Sequence, residues 1–143
     1  MGLFDFAKNI GNKIFGTEKE APEKLKKHIE DDNPGIENLE IQVEDGVATI
    51  SGKTDDPSAL EKVVLMTGNA MGIEEVNVDA VEAPKQTEEV LYYEISKGDS
   101  LWKIAKNTYG DGNQYKKIFD ENREVIKDPD LIFPGQKIRL PMT

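Results

Sequence analysis

Hydrophobic positions change their period several times along the chain, and each change marks an element. Leu3, Phe6, Ala7, Ile10 and Ile14 recur at helical spacing, widened by Phe4 and Phe15, with Asp5, Asn9, Asn12 and Lys13 opposite. This stripe predicts a short amphipathic helix within residues 1–16, packing on the domain that follows. Gly11 interrupts its apolar side, and Gly16 suits its end. After a polar connection, Leu25, His28 and Ile29 predict a second helix over residues 22–32, with Pro22 in its first turn and Asn33-Pro34-Gly35 beyond its end. Leu39, Ile41 and Val43 then alternate with Glu40, Gln42 and Glu44, the period of a half-buried strand. Asp45-Gly46 signals a hairpin, and residues 47–52 are the returning strand. Asp55 or Asp56 caps a further helix carrying Leu60, Val63, Val64, Thr67 and Met71 on one face, with Gly72 as its stop. Val76, Val78 and Ala80 alternate as a third strand.

Residues 84–90 are polar and proline-containing, the composition of a linker. Beyond them Leu91, Tyr93 and Ile95 alternate as a strand, and Lys97-Gly98-Asp99 makes a turn. Ser100 caps a helix carrying Leu101, Ile104, Ala105 and Thr108. Tyr115, Ile118 and Phe119 mark another helix, and residues 137–140 a closing strand. The expected fold class is α+β in two small domains: an α-β-β-α-β sandwich over residues 22–83, preceded by the amphipathic helix, and a β-α-α-β domain over residues 91–141. A chain of 143 residues holds two such domains.

Charge separates the same two halves. Residues 1–84 carry 8 Lys and Arg against 18 Asp and Glu, whereas residues 85–143 carry 10 of each. The whole net charge of −10 therefore lies in the first half. Such a surface repels phosphate backbones, so no nucleic-acid partner is expected, and cations are its electrostatic match. The absence of cysteine excludes thiol nucleophiles and Cys-ligated zinc or iron–sulfur sites. Charged and amide residues interrupt every apolar run of the N-terminal stretch, unlike a secretory signal, and no segment reaches the length of a membrane span. The expectation is a cytoplasmic monomer without stable membrane insertion.

The last segment resembles the LysM family over nearly all of residues 91–141. The matching positions are Tyr93 and Ile95, the run from Lys97 to Leu101, Ile104-Ala105, Tyr109-Gly110, Ile118, Asn122, the run from Ile132 to Gln136, and Ile138, Leu140 and Pro141. Residues 22–82 resemble a BON domain, on the Val43, Asp45-Gly46, Ala48, Ile50, Gly52 hairpin and on Gly72-Ile73, Val76 and Val78. The combination resembles the small bacterial cytoplasmic potassium-binding proteins. That resemblance implies a K⁺ binder and ion sensor, in a stress-response setting, that becomes compact or ordered with the ion. It also implies a LysM module that either recognises a protein partner or, as LysM modules generally do, N-acetylglucosamine polymers. The glycan contacts would then come from Gly98, Asp99, Ser100 and Leu101 and from Leu131 and Ile132, in an envelope protein whose BON domain contacts lipid.

Catalysis is not expected. His28 is the only histidine and continues a helix face, and the chain has no phosphate-binding or nucleophile-elbow motif. The clusters Glu30-Asp31-Asp32 and Asp128-Pro129-Asp130 lack the spacing of a calcium loop and suit turns. K⁺ is selected by backbone carbonyls that replace its water shell. Carbonyls are unpaired at helix C-termini, where the helix dipole is negative. This places the expected site at the backbone carbonyls of Ala7, Ile10, Asn12 and Phe15, meeting those of Gly72 and Ile73.

Overall fold

Asp56 accepts a hydrogen bond from the Ser58 N–H, Pro57 follows, and a twelve-residue helix begins there. The computed structural model describes residues 4–9 and 11–142. The chain divides into two compact units, Met1–Gln86 and Thr87–Thr143. Helices and strands are both present in each, and the protein is α+β.

In the first unit α1 is Ala21–Glu30, β1 Glu37–Glu44, β2 Val47–Lys53, α2 Pro57–Gly68 and β3 Glu75–Glu82. β1 and β2 pair antiparallel across a tight turn whose central residues, Asp45 and Gly46, have φ of 50° and 79°. β2 pairs parallel with β3, so β2 is the middle strand and α2 the crossover. Leu25 and Ile29 of α1, Leu39 and Ile41 of β1, Ala48 and Ile50 of β2, and Val63 and Val64 of α2 form the core. α2 is buried on more than the one face its periodicity suggests: Ala59, Glu61 and every residue from Val63 to Gly68 are buried.

The described part of residues 4–16 is not the expected helix. It runs as irregular chain in which the Phe6 and Asn12 N–H groups bond outward to neighbouring elements. Val76 N–H donates to the Phe4 carbonyl at 3.0 Å and Phe6 N–H to the Glu74 carbonyl at 2.9 Å, which pairs this segment with the edge of β3. Asn12 makes a second, parallel bridge with Ala70, beyond the end of α2. A short glycine-containing helix is marginal on its own, whereas the β3 edge and the end of α2 offer ready partners. The stripe still does apolar work, because Phe6 is buried against Gly68. Leu3 and Ile10, which the stripe included, lie outside the described residues.

The end of α2 differs too. The helix stops at Gly68 with Asn69 as its cap, so Met71 lies beyond it and is 42% exposed. The carbonyl of Asn69 bonds to Asn12 N–H and the N–H of Met71 to the Asn12 carbonyl, which takes these groups out of a continuing helix.

In the second unit β4, Val90–Glu94, pairs antiparallel with β5, Lys137–Pro141. Between them lie α3, Leu101–Tyr109, a single 3₁₀ turn, Gly112–Gln114, and α4, Tyr115–Asp120. Ser100 caps α3 by accepting from Lys103 N–H at 3.1 Å. Ile95, Leu101, Ile104, Ile118, Ile138 and Leu140 are buried, but Leu91 at the start of β4 is 48% exposed, against the expected inward alternation. β5 is buried along its whole length, Lys137 and Arg139 included. Arg139 meets the Glu121 carboxylate at 2.7 Å. Asn122, fully buried, donates to the carbonyls of Ile118 and Arg139 and accepts from Arg139 N–H, so it ties α4 to β5.

Candidate functional site

The N-terminal segment and the loop between α2 and β3 lock together backbone to backbone. Asn12 N–H donates to the Asn69 carbonyl at 2.8 Å, Met71 N–H to the Asn12 carbonyl at 2.8 Å, and Gly72 N–H to the Lys8 carbonyl at 2.7 Å. Two glycines permit this approach. Gly11 has φ 145°, and a Cβ there would run into the Asn69 carbonyl. Gly72 has φ 104°, and a Cβ there would stand 3.0 Å from Phe15 Cζ, so the Phe15 ring lies over Gly72.

The structure thus brings Asn12, Phe15 and Gly72 to one junction. Ala7 lies between Phe6 and Lys8, which are both bonded to the 72–74 stretch, and Ile73 is anchored by its N–H to the Ala70 carbonyl at 3.2 Å. Ile10 lies outside the described residues. The Asn12 carbonyl already accepts from both Met71 and Ile14. Among the described residues, the carbonyls of Ala7, Phe15, Gly72 and Ile73 accept no backbone hydrogen bond. Among the described residues there is also no group of three or more His, Asp and Glu arranged to hold a metal ion. Among the described residues, the acceptors left without a backbone partner at this junction are neutral carbonyl oxygens.

Two carboxylates hold the chain leaving the junction. Glu20 accepts from Gly16 N–H at 2.6 Å and Thr17 N–H at 3.0 Å. The hydrogen bonds from Thr17 and Gly16 keep its carboxyl below the usual glutamate range. Glu18 accepts from Asp45 N–H at 2.9 Å and Gly46 N–H at 3.1 Å, which fixes the chain to the β1–β2 turn. Asn69, Ala70 and Glu20 are not among the residues expected from the sequence. Backbone partners such as Asn69 and Ala70 carry no side-chain signal, but Thr17-x-x-Glu20 has the spacing of a helix capping box and was a usable signal for Glu20.

The second unit has a shallow groove of about 330 Å³ lined by Ser100, Leu101, Trp102, Tyr115, Pro129 and Asp130. Of the residues expected to contact glycan, only Ser100 and Leu101 line it. Asp99 is instead occupied within the turn, accepting from Ser96 N–H at 2.8 Å and from the Tyr93 hydroxyl at 2.6 Å. Gly98 contributes its carbonyl to Lys103 Nζ at 3.2 Å. Leu131 is 70% exposed and Ile132 half-buried just beyond the groove-lining Asp130. Trp102, 46% exposed, lays its ring on Gly112 of its own unit. Among the described residues, no helix is long and apolar enough to cross a membrane.

Comparison with known proteins follows the same division. The BON domain family matches residues 17–84 and the LysM domain family residues 93–141. Over its full length the chain is similar to the potassium binding protein Kbp of Escherichia coli O6:H1, 34% identical with 99% of each chain covered. An uncharacterized protein of Deinococcus radiodurans is 32% identical over 64% of this chain and 40% of its own length. The spore coat assembly protein ExsA of Bacillus cereus is 45% identical over 33% of this chain and 7% of its own length.

Proposed function

Because the chain belongs to the family of the potassium binding protein Kbp, we propose that it is a non-enzymatic, cytoplasmic K⁺-binding protein whose ion is held where the N-terminal segment meets the α2–β3 loop. The observation that carries this reading is the backbone interlock of residues 8–12 with residues 69–72, beside carbonyls of Ala7, Phe15, Gly72 and Ile73 that bond to no amide among the described residues. Together with Ile10, and with Asn12 exchanging its bond from the Ile14 N–H for the ion, these are the proposed ligands. Dehydrating K⁺ needs several such oxygens at once, and the two sides of the junction together supply several. The acidic half of the chain raises the local cation concentration, and among the described residues no group of three or more carboxylates is arranged as a cage for a divalent ion.

Ion binding then tightens residues 4–16 onto the first unit, and the protein acts as a sensor whose ordered state is read by a protein partner through the LysM unit. Titration of the purified chain with KCl against matched NaCl, by calorimetry and small-angle scattering, tests this. A saturable K⁺-selective heat with a smaller radius is expected; equal responses to the two salts would sink the reading.

A second reading has one observation in its favour. The groove beside Ser100 and Leu101 carries two aromatic rings, Trp102 and Tyr115, of the kind that stack on sugar faces. It would make the protein an envelope component holding N-acetylglucosamine polymers. Co-sedimentation with peptidoglycan sacculi, lost on Trp102→Ala, is its expected result.

A further inference from the structure

The Glu20 carboxylate turns back along the chain and grips the peptide groups that leave the junction. Its Oε1 takes the Gly16 N–H at 2.6 Å, a short bond of the charge-assisted kind, and the Thr17 N–H at 3.0 Å. The described peptide bonds are all trans. The Phe15 carbonyl, which shares its peptide plane with the Gly16 N–H, therefore points away from the carboxylate. An amide that donates to an anion is polarised, and its oxygen gains negative charge. On the same residue, the Phe15 ring lies over Gly72 and fixes the register of this peptide against the α2–β3 loop.

We propose that Glu20 is a positioning residue of the K⁺ site, holding and polarising the Phe15–Gly16 peptide so that the Phe15 carbonyl is presented to the ion. This rests on the ion-binding reading given above. Glu20 does not touch the ion; its charge acts through one peptide group. Glu18 has a different task, because both its oxygens are engaged at the β1–β2 turn. Glu23, exposed in the first turn of α1, carries the same charge in the same unit without bonding to the 15–17 stretch. It separates a local effect from a general electrostatic one.

The test is a K⁺ titration of the full-length protein, of Glu20→Gln and of Glu23→Gln, each with matched NaCl. Glu20→Gln retains an acceptor oxygen and loses the charge. Its K⁺ affinity is expected to fall about fivefold or more, while Glu23→Gln stays within about twofold of the parent. The second readout is the ¹³C carbonyl resonance of Phe15 in selectively labelled protein, expected to shift on K⁺ addition in the parent and less so in Glu20→Gln. Equal affinities for the parent and Glu20→Gln, or equal losses in both variants, would overturn the role of Glu20 alone. A Phe15 resonance unmoved by saturating K⁺ would do the same, and it decides the matter even if Glu20→Gln fails to fold. A parent protein with no K⁺-selective response would overturn the ion-binding reading and the Glu20 role with it.

Discussion

Gly72 sits at φ 104° with the Phe15 ring 3.0 Å from where its Cβ would be. A valine here meets two obstacles, a backbone conformation that β-branched residues avoid and a ring that must move. The same peptide donates from Gly72 N–H to the Lys8 carbonyl, so a shift also disturbs the chain opposite. Gly72→Val is expected to lower K⁺ affinity by at least about tenfold, measured by calorimetry, with the sheet and α1 retained by circular dichroism. A variant that binds K⁺ like the parent would exclude this junction as the site. At the same scale, the buried charge of Arg139 in the LysM unit has an evident structural role. It is answered by Glu121 at 2.7 Å, on a strand where alternation alone would have placed it outside.

Among the elements, the β4–α3 connection ties a titratable side chain of the strand to the turn. Tyr93 donates its hydroxyl to Asp99 at 2.6 Å, and this hydrogen bond, ahead of burial, raises the phenol above its ordinary value. Tyr109 is raised as well, chiefly by burial and then by Glu121. A phenol whose folded value is raised is stabilising while it stays protonated. That contribution is complete below the ordinary tyrosine range and is lost as the pH climbs through the raised value. Thermal unfolding followed from about pH 9 to about pH 12 is expected to show the midpoint of the second unit falling. Tyr93→Phe should remove part of that fall and leave the part due to Tyr109. An unchanged slope in Tyr93→Phe would argue against the hydrogen bond to Asp99. In the first unit the corresponding element-scale feature is α2, whose end is covered by the N-terminal segment through Phe6 on Gly68.

For the whole molecule, the charge and the candidate ion site fall in the same half. Residues 1–84 carry the entire net charge, and the junction of residues 4–16 with the α2–β3 loop lies within that half. Deleting residues 1–16 removes Phe6 from the core and the pairing partner from the β3 edge. The first unit is expected to lose about 2 kcal/mol of stability from the buried ring alone and all K⁺ response. Residues 87–143 should retain their hydrogen-exchange protection, since their core residues are their own. Retained K⁺ selectivity in the deleted protein would place the ion elsewhere.

The elements and the family lay open in the linear order of residues, because they depend on local signals. Period-two runs set β1 and β2, Asp45-Gly46 set their turn, and Asp56 and Ser100 set helix starts through bonds reaching only two or three residues along the chain. Carbonyl positions such as Phe15 and Gly72 could be nominated from glycines and helix ends, without any side chain to mark them. What only the tertiary structure decided is how residues 4–16 run. Their apolar stripe fits a helix equally well, yet the chain beside β3 and at the end of α2 takes up the Phe6 and Asn12 N–H groups, and Gly11 and Gly72 let the two backbones touch. Burial of Arg139 was decided in the same way, by Glu121, which adjoins it in space and not in sequence. Periodicity reports which side chains seek an interior; it carries no record of which distant backbone or charge will meet them there.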